Sequence, residues 1–187
     1  KKKLSERILV LQNFKEGIKN NRKEIINALS IDTGRNIISQ RELDGLCGSI
    51  DRWCNSAPLF IDDSEKVSES IPYISIKKHR DPFPVLGVIS PWNFPLLLSF
   101  IDAIPALLAG CAVIIKPSEV TPRFVDPLKK TINKISELEN IISFVMGDGS
   151  TGASLINFVD MIAFTGSVAT GKKVAQSAAK SFIPACL

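Results

Sequence analysis

The chain has 187 residues, with 23 Lys+Arg, 19 Asp+Glu and one His, for a formal net charge of +4. That length suits one domain with a small appendage and buries roughly 70% of the surface that the unfolded chain exposes. At 45% hydrophobic and 22% charged, the composition excludes a disordered chain; one His excludes a multi-His metal site, and a net +2 in each of residues 1–66 and 67–187 leaves no basic arm for nucleic acid.

Lys1-Lys2-Lys3 reads as the solvated start of a helix. The absence of an opening Met points to a fragment, and no apolar leader with a small-residue cleavage site follows. Leu4, Ile8, Leu11, Ile18, Ile25 and Leu29 recur at helical spacing, which predicts an amphipathic helix over 4–29, punctuated by Asp32-Thr33-Gly34. Ile38, Leu43, Leu46, Ile50 and Trp53 predict a second helix over 37–55. The Ser/Asp/Glu-rich stretch 56–70 reads as a loop, and 71–80 as extended, with Pro72, Pro82 and Pro84 confining any strand to an edge.

From residue 85 the pattern changes to short apolar runs separated by helical stretches. Strands are expected at 85–90, 112–115, 141–145 and 161–164; helices at 94–108, 122–135, 151–157 and 168–180. Four buried strands alternating with helices predict an α/β fold: N-terminal helices plus an incomplete Rossmann-like parallel sheet covered on both faces. The expected organisation is a helical segment and loop over 1–70, an extended linker over 71–84, and a dinucleotide-binding α/β domain over 85–187, truncated at its C-terminus. A sheet ending at its fourth strand leaves an unpaired edge. The apolar stretch 96–115 is broken by Asp102, Pro105 and Gly110, so no membrane span is expected.

In a parallel sheet, ligands sit beyond the carboxyl ends of the strands, here the loops 90–95, 116–119, 147–152 and 165–168. Two generic phosphate motifs fall in them. Gly147-Asp148-Gly149-Ser150-Thr151-Gly152 is a literal Gly-x-Gly-x-x-Gly, but it follows the third strand and carries an acid where phosphate would lie. Gly166-Ser167-Val168-Ala169-Thr170-Gly171-Lys172-Lys173 approaches a P-loop, yet Lys173 stands where a Ser/Thr hydroxyl would hold magnesium. A P-loop NTPase is therefore the weaker reading. Cys47, Cys54, Cys111 and Cys186 form no Cys-x-x-Cys pair, as expected for reduced thiols in a cytoplasmic protein.

The most specific segment runs from Pro91-Trp92-Asn93-Phe94-Pro95, through Ile104-Pro105-Ala106-Leu107-Leu108-Ala109-Gly110-Cys111, to Lys116-Pro117-Ser118-Glu119. With Phe164-Thr165-Gly166-Ser167 further on, the chain resembles the aldehyde dehydrogenase superfamily, clearly over residues 71–187. The resemblance implies an NAD(P)-dependent oxidation of an aldehyde to an acid through a thiohemiacetal and thioester on a Cys. It implies that Asn93 donates its side-chain amide to the oxyanion, a role suited to a neutral preorganised donor. Lys116 and Glu119 would hold the adenosine ribose hydroxyls; a carboxylate there favours NAD over NADP, while Ser118 leaves NADP possible. Gly149 would let the backbone approach the adenine side. Phe164, Thr165, Gly166 and Ser167 would bring backbone N–H groups to the pyrophosphate, with Thr170 packing nearby. Ile89, Ser90, Pro91 and Trp92 would line the nicotinamide side of the cleft.

The resemblance places the family's nucleophilic Cys beyond a Glu-Leu-Gly-Gly-Lys segment that would begin where this chain stops, so neither that Cys nor the general-base Glu is expected among these residues. Cys111 matches a structural position, and neither it nor Cys186 is assigned to catalysis. The expectations are therefore a small-molecule aldehyde partner, no nucleic acid, no membrane and no metal, with a homo-dimer or homo-tetramer for the full-length protein. The isolated chain is expected to be inactive. A catalytically inert dinucleotide-binding module and a coenzyme-A-acylating enzyme share the same motifs and stay open.

Overall fold

The computed structural model describes residues 2–61 and 65–187. Lys1 of the expected charged helix start, and residues 62–64 of the expected loop, lie outside the described residues.

Three helices open the chain: α1 (Leu4–Asn20), α2 (Arg22–Thr33) and α3 (Asn36–Phe60). The helix expected over 4–29 is broken at Asn21. There the side-chain amide leaves the helix direction to donate to the Pro127 carbonyl at 2.8 Å and to the Thr131 hydroxyl at 3.3 Å. Gly34, at φ +68, ends α2 in the left-handed conformation that a residue without a Cβ adopts freely. The second helix runs five residues past its expected end and takes in Pro58, within its last turn. Trp53 and Phe60, two turns apart on this same helix, bring their ring centroids to 6.4 Å, a contact within α3 where 56–60 was expected to be a loop.

β1 (Glu65–Val67) and β2 (Ser75–Lys77) form an antiparallel ribbon of their own. The main sheet holds β3 (Val85–Ile89), β4 (Ala112–Lys116), β5 (Ile142–Phe144), β6 (Met161–Phe164) and β7 (Ala185–Cys186), in the order β5-β4-β3-β6-β7. All its pairings are parallel. The fifth strand corrects the four-strand expectation: β7 covers the edge of β6 that was expected to be bare. Two residues following Pro184 carry no strand pattern, and only the hydrogen bond from Ile162 N–H to the Pro184 carbonyl (3.0 Å) and the pairing beyond it make them one.

The connections are helical: α4 (Pro95–Phe100), α5 (Ala103–Ala109), α6 (Val125–Ile132), α7 (Ser136–Glu139), α8 (Gly149–Leu155) running into a 3-10 turn at Ile156–Phe158, and α9 (Val168–Lys180). The expected helix over 94–108 is two helices, because Pro105 has no N–H to bond the Ile101 carbonyl four residues back. The helix expected over 122–135 is the shorter α6, and α7 follows beyond its expected end.

Alternation along the strands divides the core between the two faces. Leu86, Val88, Val113, Ile115 and Ala163 face a large cluster with α1, α3, α4, α5 and α6, whose centre includes the fully buried Phe14, Phe100 and Phe124. Val85, Ile89, Ile114, Ile162 and Phe164 face a smaller cluster with Leu155, Val174 and Ala178. The chain winds outward from β3 through β4 to β5, then crosses to β6 on the other side. The reversal lies between β3 and β6, the place where such sheets open a ligand crevice.

Candidate functional site

The carboxyl ends of the strands meet through backbone contacts. Thr165 N–H donates to the Ile89 carbonyl at 3.1 Å, Ser90 N–H to the Lys116 carbonyl at 3.2 Å, and Val145 N–H to the Ile115 carbonyl at 3.0 Å. The Thr121 hydroxyl donates to the Trp92 carbonyl at 3.0 Å and ties the loop after β3 to the loop after β4. Ile89 and Pro91 are half-buried, Ser90 is buried, and Trp92 and Asn93 are exposed at the mouth.

Lys116 ends β4 almost fully buried, and its Nζ donates to Glu119 Oε2 at 3.0 Å, while Glu119 keeps half of its side chain in water. Its own backbone N–H, followed by the Lys116 ammonium, holds the Glu119 carboxyl below the usual carboxylate range. Ser118 is half-buried, and its hydroxyl accepts from Val120 N–H at 3.3 Å. Gly152 closes this corner from α8: a Cβ there would stand 3.4 Å from Ile89 Cδ1 and 3.8 Å from Lys116 Cδ.

The two phosphate-like motifs differ at their helix starts. Asp148 caps α8 with its own carboxylate, accepting from Ser150 N–H at 2.9 Å and from the Ser150 hydroxyl at 2.6 Å. The Ser150 hydroxyl, then the Ser150 and Thr151 N–H groups, hold the Asp148 carboxyl low and charged. This helix start is already filled by an anion and repels a second one. Gly149 sits in its first turn, exposed, with nothing within 4 Å of where a Cβ would lie. Helix α9 is different. Its cap is the neutral hydroxyl of Ser167, which accepts from Thr170 N–H at 3.2 Å and donates to the Thr170 hydroxyl at 3.0 Å. Gly166, Ser167 and Thr170 are exposed, and a Cβ on Gly166 would come within 2.5 Å of Phe164 Cζ. A cleft of about 560 Å³ opens here, lined by Phe164, Thr165, Gly166, Ser167, Lys172 and Leu187. A helix N-terminus of this kind accommodates the oxygens of a phosphate diester. The residues present fit a dinucleotide: a helix start capped by a neutral hydroxyl, and at Glu119 a half-exposed carboxylate held by Lys116.

In the turn after β3, Asn93 Oδ1 accepts from Phe94 N–H at 3.1 Å, so that bond leaves the Nδ2 donor unused. The Asn93 carbonyl accepts from the Arg35 guanidinium, and that guanidinium lies 5.3 Å from the centroid of the Phe94 ring. Glu42 Oε1 accepts from Leu96 N–H at 2.7 Å and from Leu97 N–H at 3.0 Å.

With this geometry in place, comparison with known proteins gives the lineage. The sequence matches the aldehyde dehydrogenase family over residues 1–187. The chain belongs to the aldehyde dehydrogenase family. It is 32% identical to the betaine aldehyde dehydrogenase of Bacillus subtilis over 92% of its own length and 36% of that protein. It is 53% identical to the Anabaena variabilis protein PutA, covering 97% of this chain and 39% of that one, with a TM-score of 0.95. A Mycobacterium tuberculosis aldehyde dehydrogenase solved with NAD+ matches at 28% identity and a TM-score of 0.89, over 97% of this chain and 38% of that one. The chain thus spans well under half the length of these relatives.

Arg35, Glu42 and Thr121 belong to the site region and escaped the sequence reading, while Gly152 was read only as the last glycine of a phosphate-like motif. One signal was present for Glu42: it stands four residues from Ile38 and from Leu46, a lone acid inside an apolar helical stripe. The thiols lie elsewhere. Burial pushes Cys47, Cys54 and Cys111 up, away from the thiolate form. Cys186 is exposed on β7, where it lines a cleft with Asp102 and Pro105 on the α5 side of the sheet. Among the described residues no group of three or more His, Cys, Asp or Glu side chains is placed to hold a metal ion, and no helix is long and apolar enough to cross a membrane.

Proposed function

We propose that the polypeptide carrying this chain is an NAD-dependent aldehyde dehydrogenase, and that residues 85–187 supply its dinucleotide site and its oxyanion donor. The observation that carries the reading is the contrast between the two helix starts. Asp148 closes α8 to anions, whereas α9 presents open N–H groups beside the switch point. NAD, when bound, supplies the hydride acceptor. Gly166 and Ser167 hold the pyrophosphate, with Phe164, Thr165 and Thr170 shaping that side. Glu119 accepts from the adenosine ribose hydroxyls, and Lys116 holds its carboxylate in place. A 2′-phosphate there would meet Glu119 with Asp148 close enough to act on it electrostatically, which favours NAD over NADP. Ile89, Ser90, Pro91 and Trp92 line the nicotinamide side, and Gly149 leaves room for the adenine side.

Asn93 does the chemical work that falls to this chain. As a thiolate adds to the aldehyde carbonyl, the oxygen gains negative charge, and Asn93 Nδ2 donates a hydrogen bond to it. Loss of one such donor lowers turnover by about 10²–10³. In this reading none of the four Cys is the nucleophile, and the isolated chain binds dinucleotide without turning it over. The polypeptide acts in the cytoplasm, as a homo-dimer or homo-tetramer.

Titration of the purified chain with NAD and with ATP plus magnesium, followed by an NADH assay with a panel of aldehydes, tests the reading. The expected result is NAD binding that survives Lys172→Ala, no ATP binding and no NADH. Binding of ATP lost in Lys172→Ala would restore the P-loop reading, and NADH from the isolated chain would place the nucleophile among these residues.

A further inference from the structure

Glu42 is 2% exposed, sits in the apolar stripe of α3, and among the described residues no cation bonds to its carboxylate. A buried ionisable group is costly unless its hydrogen bonds are needed. Its two partners, Leu96 N–H and Leu97 N–H, are the first N–H groups of α4, since Pro95 has none. Leu98 N–H donates to the Phe94 carbonyl at 3.0 Å. Among the described residues, the first N–H groups of α4 are therefore all bonded within the protein, and Asn93 presents its side-chain amide just before them.

Arg35 and Glu42 stand seven residues apart at the amino end of α3, which brings them close to one face, about 10 Å apart along the axis. Arg35 takes the Asn93 carbonyl and covers the Phe94 ring; Glu42 takes the next turn. We propose that Arg35 and Glu42 are positioning residues that clamp residues 93–97 at two points, so that Asn93 Nδ2 keeps one aim into the cleft. The inference rests on the oxyanion role of Asn93 proposed above. Neither residue touches the reacting atoms.

The test compares Glu42→Ala, Glu42→Gln and Arg35→Ala, each alone and with Asn93→Ala, in the complete polypeptide that carries this chain. The Gln carbonyl still accepts from both N–H groups. Expected for Glu42→Ala is a tenfold or greater fall in kcat, with NAD affinity changed less than twofold and most of the turnover recovered in Glu42→Gln. In the Asn93→Ala background, Glu42→Ala and Arg35→Ala change kcat less than twofold. Equal losses in both backgrounds, or a Glu42→Gln variant as slow as Glu42→Ala, overturn the proposal. Hydrogen exchange of a peptide spanning 93–100 decides the clamp without activity: faster in Glu42→Ala, restored in Glu42→Gln, with a peptide from α9 unchanged as the folding control. If the unmodified polypeptide binds NAD but oxidises no aldehyde, the functional reading falls. Exchange at 93–100 that ignores Glu42→Ala overturns the clamp itself.

Discussion

Lys116 Nζ lies 3.0 Å from Glu119 Oε2, with the lysine buried at the end of β4 and the carboxylate half in water. The lysine fixes one oxygen of the carboxylate and leaves the other to accept from a ligand. Hydrogen bonds to a charged acceptor contribute about 1.5–3 kcal/mol, so Glu119→Ala is expected to weaken NAD by about tenfold or more. NADP should be unchanged or tighter, because the repulsion of its 2′-phosphate falls. Fluorescence titration with both nucleotides measures the ratio; an unchanged ratio would show that Glu119 does not face the ribose. The carboxyl is held low, so this preference should persist on acidification to below the ordinary Glu range.

Gly149 and Gly166 separate binding from packing. Nothing lies within 4 Å of a Cβ on Gly149, whereas one on Gly166 would come within 2.5 Å of Phe164 Cζ. Gly166→Ala must push the ring aside, an overpacking cost of about 1–3 kcal/mol, and should lower both Tm and NAD affinity. Gly149→Ala should leave Tm unchanged while weakening NAD, since its only conflict is with the ligand. Equal behaviour of the two variants in paired melting and binding experiments would contradict this assignment.

Glu42 makes stability depend on pH with a definite sign. Burial raises its carboxyl above the ordinary Glu range, against the Leu97 and Leu96 N–H bonds and the Arg35 charge, which lower it. The folded state therefore binds the proton more readily than the unfolded one. Its contribution is most favourable below the unfolded value and is lost as pH rises through the folded one. Glu42→Gln does not titrate, so its Tm advantage over the parent should widen from pH 4 to pH 7. A constant gap across that range would mean that the carboxyl is not raised.

The four thiols should divide three to one. Cys47, Cys54 and Cys111 are 8%, 4% and 8% exposed, and burial raises all three. Cys186 is exposed. A chromogenic disulfide reagent at pH 8 should release one equivalent quickly, and Cys186→Ser should abolish that phase. A second fast thiol would show that α3 or the start of β4 opens in solution.

Local pattern carried much of the fold. Continuous apolar runs at 85–90 and 161–164 mark strands covered on both sides, and Ser167 before 168–180 marks a helix start; all three reappear within a residue or so. Their alternation with helices implies parallel pairing, and parallel pairing places a ligand beyond the carboxyl ends. Asp148 was visible as an acid in a glycine motif, and its capping bond spans only two residues.

The rest depended on partners far away in the chain. The break at Asn21 comes from a bond to Pro127, 106 residues later, and helical periodicity holds no record of it. Strand β7 exists because β6 presents an edge to pair with, since a two-residue strand has no pattern of its own. Arg35 and Glu42 reach the Asn93 turn across 58 and 54 residues. Residue types and local spacing determined most of the elements and the family. Only the packing of α3 against the start of α4 decided how the Asn93 turn is held, because a contact between distant segments depends on their arrangement in space and not on the pattern within either one.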